Sequence, residues 1–279
     1  MSAPDSNPVA AAASGRKTLL VALAVCLVCS IVVASAAVLL KPLQAANREA
    51  ERKRIIVVEL SGLMQPGLTV AQAYQRVEAR LVELAVGTEV ATGATGAEVD
   101  GLDPETFDIA RAGKDPALSA PLARNEDLAQ IGRKPKYMPI YRIRGDDGKL
   151  KTLILPVYGY GLWSTMYGFI ALEGDLRTVR GFMFYQHGET PGLGGEIDNP
   201  KWRAQWQGKV VFDEQWRARV ELVKGTVDQS SPDAQHQIDG LAGATVTARG
   251  VINLVNFWLG DQGYAPYLAR LRDERNERN

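Results

Sequence analysis

The residues Asp239-Gly240-Leu241-Ala242-Gly243-Ala244-Thr245 run straight into an apolar stretch, and their types suit a tight turn that opens a helix and could meet an anion. Gly240 and Gly243 permit a sharp turn, Ala244 is small, and Thr245 and Thr247 bring hydroxyls to the point where a helix begins. A helix start offers unpaired backbone N–H groups and a partial positive charge, which together attract an anion. The same residues also fit a plain helix entry in which Thr247 is the cap, Asp239 and Gly240 make a turn, and nothing binds.

Two other glycine-rich segments bear on that choice. Gly159–Gly168, GYGLWSTMYG, and Gly188–Glu196, GETPGLGGE, put glycines beside Trp163, Tyr167 and Leu193, which suits a flat apolar ligand approached closely by backbone. Read plainly, these are hairpin turns and core aromatics, the reading kept for Tyr160 and Phe169. Glu189 reads equally as a turn carboxylate, and Trp163 as a core residue. A second Gly-Ala-Thr run, Thr92-Gly93-Ala94-Thr95, is followed by Glu98, Asp100, Asp103 and Glu105 with no periodic helix, so its acidic neighbours would repel a phosphate. His187 and His236 lack metal-ligand spacing and read as loop histidines.

These residues need elements to hold them. Val251, Leu254, Val255, Trp258 and Leu259 recur at helical spacing after the Gly-Ala-Thr turn, and Gly260 suits the C-terminal cap. Upstream, MPIYRIR, a Gly145–Gly148 turn and KLKTLILPVYG predict a hairpin, followed by strands in YGFIALEG and TVRGFMFYQ, all in one antiparallel sheet. A short Trp-bearing helix is expected in NPKWRAQWQGK, and two strands in KVVFD and ARVELVKG. Ala71–Val86 predicts an amphipathic helix carrying Ala73, Val77, Leu81, Leu84 and Ala85 on one stripe. Gly87–Lys136 reads as a loose or partly helical excursion.

Lys+Arg and Asp+Glu are both 32, so no basic excess advertises nucleic acid and no acidic excess a cationic partner. Thr18–Leu40 is an uncharged apolar run long enough to cross a hydrocarbon core as a helix. Ala34-Ser35-Ala36 resembles a small-residue processing site, but the apolar run continues to Leu40, which favours an uncleaved anchor. Flanking charge, Arg16 and Lys17 before the run against Lys41, Arg48, Arg52, Lys53 and Arg54 after it, counts toward a large domain on the inner side. That rule is weak for a long translocated domain. Cys26 and Cys29 both lie in the run and read as small packing residues, which leaves no thiol chemistry beyond it.

The expected organisation is therefore a disordered tail over 1–17, a transmembrane helix over 18–40, a juxtamembrane linker over 41–70, a ligand-binding domain over 71–270 and a charged tail over 271–279. The fold class is α+β: a single N-terminal transmembrane helix, then a soluble domain with a largely antiparallel sheet and flanking helices.

Three blocks in order, LPVYGYGLWSTMYGF, GETPGLGGEIDNPKWRAQWQGK and IDGLAGATVTARGVINLVNFWLGDQGYAPYL, resemble the C subunit of the sodium-translocating NADH:quinone reductase over most of residues 150–270. The resemblance implies an FMN-binding domain, with FMN joined through its phosphate to the threonine that ends an Asp-Gly-x-Ser/Thr-Gly-Ala-Thr motif by a separate flavin transferase. The matching acceptor is Thr245; Asp239, Gly240, Gly243 and Ala244 match too, whereas Ala242 stands where the family usually has a hydroxyl residue. For the ring system, resemblance and local chemistry point to Trp163, Glu189, Thr190, Leu193 and Gly194, with the backbone around Ala244 and Thr247 near the phosphate. The resemblance further implies an electron-transfer subunit of a bacterial inner-membrane complex that oxidises NADH, reduces ubiquinone and moves Na⁺ outward. Its domain would lie in the periplasm, against the charge count, and its partners would be the other subunits. The FMN-carrying G subunit of the related ferredoxin-linked complex, and an anchored scaffold domain without redox chemistry, are the alternatives.

Overall fold

The computed structural model describes residues 8–90 and 102–277. The chain divides into two units, Met1–Ala50 and Glu51–Asn279. In the first unit the chain is helical: α1 spans Pro8–Arg54, so the backbone is helical from Pro8 where a disordered tail is expected. Its apolar side chains face outward, Leu20 66% and Val33 68% exposed, and it is the one helix among the described residues long and apolar enough to cross a membrane. Such a surface is stable only where a non-aqueous medium covers it.

In the second unit the helix does not give way to a linker. Ile55–Ser61 continues as a π-helical stretch whose Ile55, Ile56, Val57 and Leu60 are buried against Ile143, Ile154, Phe169 and Ala171. The wider turn leaves its end short of partners, and side chains supply them. Arg180 Nε donates to the Leu60 carbonyl at 2.9 Å, and the Ser61 hydroxyl donates to Val57 O at 2.7 Å while accepting from Leu63 N at 3.0 Å. Gly62, at φ +67°, ends the segment in the left-handed region.

The helix expected over Ala71–Val86 is a short α2, Val70–Tyr74, capped by a Thr69/Gln72 capping box, followed by strand β1, Val77–Glu83. Val77, Leu81 and Ala85 lie four apart, a spacing that one helical turn and two strand periods both satisfy. Cross-strand pairing decides: β1 pairs antiparallel along its length with β5, Tyr137–Arg144, from Val77 opposite Ile143 to Glu83 opposite Tyr137.

The other strands of this sheet are β2, Thr88–Val90, β6, Leu150–Tyr160, β7, Thr165–Glu173, and β8, Val179–Gln186. The sheet order is β2-β1-β5-β6-β7-β8, every pair antiparallel, so the expected consecutive run β5 to β8 is present. The excursion over 87–136 holds more order than its composition suggests, with α3, Ile109–Ala112, and the pair β3, Ser119–Pro121, and β4, Arg133–Pro135. Phe107, Ile109 and Ala112 belong to the main core. The Thr92–Thr95 run lies outside the described residues.

Beyond β8 comes α4, Pro200–Ala204, which buries Trp202. KVVFD makes only isolated bridges, Val210 to Thr178 and Phe212 to Ala218, and ARVELVKG contributes β9, Glu221–Val223, paired in parallel with β10, Gln237–Asp239. Helix α5, Thr245–Leu259, packs on the sheet through Val251, Leu254, Val255 and Trp258. Gly260 is its C-cap, as expected, though in extended backbone at φ −84°. The charged tail is instead helix α6, Ala265–Glu277, with Tyr267 and Leu268 buried and Arg275 donating to the Gly174 carbonyl at 3.1 Å.

Candidate flavin site

Thr245 is the first residue of α5, and it is exposed. The residue before it, Ala244, is the N-cap and supplies no side-chain acceptor, and the first turn carries no acidic residue. Ala248 N bonds to Ala244 O at 3.0 Å, which is where the helical ladder starts, so the amides of the first turn look outward unpaired by it. Gly243 at φ +71° makes the turn, and a side chain there would press on Leu193 Cδ2 at 3.2 Å. An exposed hydroxyl thus stands on a helix start left without cap or counter-charge.

Thr247 is not the cap. It is fully buried, and its hydroxyl donates to Glu189 Oε2 at 2.6 Å. Glu189, 4% exposed, accepts further from the amides of Leu162 at 3.1 Å, Trp163 at 3.0 Å and Ser164 at 3.2 Å. Burial alone would raise its pKa, but the bonds from Thr247 and these amides outweigh burial and hold the carboxyl below its ordinary value. Glu189 is the clamp that joins three segments: the Gly161–Ser164 turn, its own loop and α5. Small residues make room for it, since a Cβ on Gly161 would come within 2.5 Å of Glu189 Oε1 and one on Gly194 within 2.6 Å of Thr247 Oγ1.

The clamp presents an apolar surface beside Thr245. Trp163 is 66% exposed and Leu193 46%, contrary to the core reading of Trp163, and Leu162, Val246 and Tyr160 are 45%, 56% and 42% exposed. Phe169 is in the core as expected; Tyr160 is not, and its hydroxyl donates to Trp163 O at 3.4 Å. The sequence reads Tyr160 as core and passes over Leu162 and Val246, because apolar residues at these positions also fit a buried pattern. Thr190 is exposed and its carbonyl closes the turn, accepting from Leu193 N at 3.1 Å and Gly195 N at 2.9 Å.

Asp239 is engaged within the chain: its Oδ1 accepts from Val227 N at 2.8 Å, its own amide donates to Gln205, and its carbonyl accepts from Trp202 Nε1. It fixes the turn entering the motif. A cleft of about 580 Å³ opens there, lined by residues that include Asn199, Lys201, Trp202 and Ala242. His187 is more than a loop residue. Its Nδ1 accepts from Glu189 N at 3.2 Å, and its Nε2 meets Asp198 at 2.7 Å, so the bond to Asp198 raises its pKa against the opposing effect of burial. His236 is buried, its Nδ1 2.7 Å from Val210 O. Among the described residues no group of acidic, His or Cys side chains could hold a metal ion.

The residues present fit a flavin mononucleotide: an accessible hydroxyl for the phosphate, a helix start that lacks an anion, and apolar faces of the right kind for a fused ring. Residues 161–260, which contain the clamp, the turn and α5, match the model of the FMN-binding domain family. Over 93% of its length the chain is 52% identical to the C subunit of the Na(+)-translocating NADH-quinone reductase of Pseudomonas aeruginosa, covering 97% of that protein, and it is 45% identical to the protein of the same name from Yersinia pestis over 92% of this chain and 93% of that one. The crystal structure of Shewanella oneidensis NqrC aligns with a TM-score of 0.69 at 29% identity, over 82% of this chain and 99% of that one. With that identity sustained across nearly the whole length, the chain belongs to the C-subunit family of the Na⁺-translocating NADH-quinone reductase.

Proposed function

We propose that the protein is the electron-transfer subunit of a membrane NADH:ubiquinone reductase, carrying FMN as a phosphoester on Thr245 installed by a flavin transferase. The observation that supports this most is the start of α5: an exposed threonine where both a side-chain cap and a first-turn carboxylate are missing, inside the segment that matches the FMN-binding domain. Bound FMN supplies a ring that takes up and gives up electrons singly or in pairs. The chain's own residues hold and shield it. The α5 amides meet the remaining phosphate charge. Leu193 and Trp163 offer faces to the ring, and the Glu189 clamp keeps both segments in register with the helix. Thr190 and Gly194 shape the turn.

In this reading α1 anchors the chain in the bacterial inner membrane through a single span and the domain lies in the periplasm. The other subunits of the complex are its partners, and the complex couples electron transfer to outward movement of Na⁺. Denaturing electrophoresis of membranes under ultraviolet light tests the attachment. A fluorescent band is expected from the parent and none from Thr245→Ala, with the protein present in both; a band that persists in Thr245→Ala overturns the assignment.

A further inference from the structure

Arg249 stands four residues after Thr245 on α5, exposed, and the chain offers it no hydrogen bond, ion pair or ring contact among the described residues. Residues four apart share a helix face with Cβ atoms about 5–6 Å apart, and a long side chain leans back over the turn N-terminal to its own Cα. The turn that a side chain at 249 covers is the one that begins with Thr245. Its charge is the wrong sign for that place. A helix start carries roughly half a positive charge, is ordinarily met by an acid or a capping oxygen, and is made worse by a nearby cation. Here both of the usual remedies are lacking. Of the carboxylates on the site, that of Glu189 is already engaged by Thr247 and the Leu162–Ser164 amides, and that of Asp239 by Val227. Ala242 contributes no hydroxyl either.

We infer that Arg249 is a phosphate-positioning residue: its guanidinium pairs with the free oxygens of the phosphodiester on Thr245, and the cation is tolerated at the helix start because that anion is there. The inference rests on attachment at Thr245. An arginine suits the task because its planar fork holds two N–H groups in parallel toward two oxygens, where an ammonium acts as a point charge without that fixed geometry. On a surface helix the pair is exposed, so it orients the flavin more than it stabilises the fold, and salt weakens it.

The test compares the full chain, purified in detergent from cells with and without the attachment machinery, as the parent, Arg249→Gln and Arg249→Lys. A peptide mass map of the parent first establishes whether Thr245 carries FMN; if it does not, the attachment reading fails and this inference with it. Given a loaded parent, Arg249→Gln should leave the thermal midpoint of the unloaded chain equal or higher, because a misplaced cation is gone, and lower that of the loaded chain. The phosphorus NMR line of the loaded protein should move in Arg249→Gln, lose its dependence on salt, and be restored only in part in Arg249→Lys, which keeps the charge and loses the fork. Equal shifts of the loaded and unloaded midpoints, or an unmoved phosphorus line, would overturn the role of Arg249 while leaving attachment intact.

Discussion

At the scale of single residues, Glu189 decides the shape of the site. Replacing it by Gln puts an NH₂ group where one oxygen now accepts, opposing the Leu162 amide in one orientation and the Trp163 and Ser164 amides in the other, at a cost on the order of 3 kcal/mol. Because the folded pKa of Glu189 is lowered, its contribution is present above the unfolded value of about 4.3 and is lost as pH falls through the folded value. Acid titration of stability should therefore flatten in Glu189→Gln over that window, and an unchanged acid limb would refute the clamp. Trp163 should behave oppositely. With 66% of its surface exposed, Trp163→Ala should cost less than about 0.5 kcal/mol, while the visible absorption and fluorescence of a bound flavin shift; a large loss of stability with an unaltered spectrum would return Trp163 to the core. The sequence suggested both residues through glycines that flank them, but it could not reveal that one is buried and the other bare. That difference comes from three amides turning toward one carboxylate.

At the scale of elements, the segment Ile55–Ser61 is the largest departure from what patterning suggests. Dense charge from Gln44 to Glu59, inside the expected 41–70 linker, reads as a helix continuing into water, and the helix does continue to Arg54. Yet Ile55, Ile56 and Val57 are adjacent and all buried, an arrangement a π-helical turn permits when one face meets a sheet. Neighbouring positions give a sharp contrast: Val57 is fully buried and Val58 is 36% exposed. Val57→Asp should cost about 3–5 kcal/mol, since it strands a charge in an apolar layer, and Val58→Asp under about 0.5 kcal/mol; equal effects on the thermal midpoint would contradict the packing described. Where the sequence has one strong period, as in the hairpin of β5 and β6 or the apolar stripe of α5, the elements were legible. Where the spacing serves two periods, as from Val77 to Ala85, only the partner strand β5 resolves it. Helix α6 was hidden for a third reason, because Tyr267 and Leu268 anchor a segment otherwise made of charge.

At the scale of the whole molecule, the balance of 32 basic and 32 acidic residues leaves the side of the membrane undetermined, and the flanking cations alone point inward. The proposed function requires the opposite. Protease added outside intact spheroplasts should digest the domain beyond Glu51 while sparing a cytoplasmic marker; protection of the domain until lysis would reverse the orientation. Composition bounded the class of protein and excluded nucleic acid as an expectation, but the chemistry was carried by sequence order: a glycine turn, a small residue, a threonine and an apolar helix.

The most direct measurement is a peptide mass map of the mature chain from native membranes. The peptide containing Thr245 should carry the mass of an FMN phosphoester and fragment at that residue. An unmodified Thr245 with no flavin on the chain, or a flavin located on the peptide containing Thr95, would contradict that attachment.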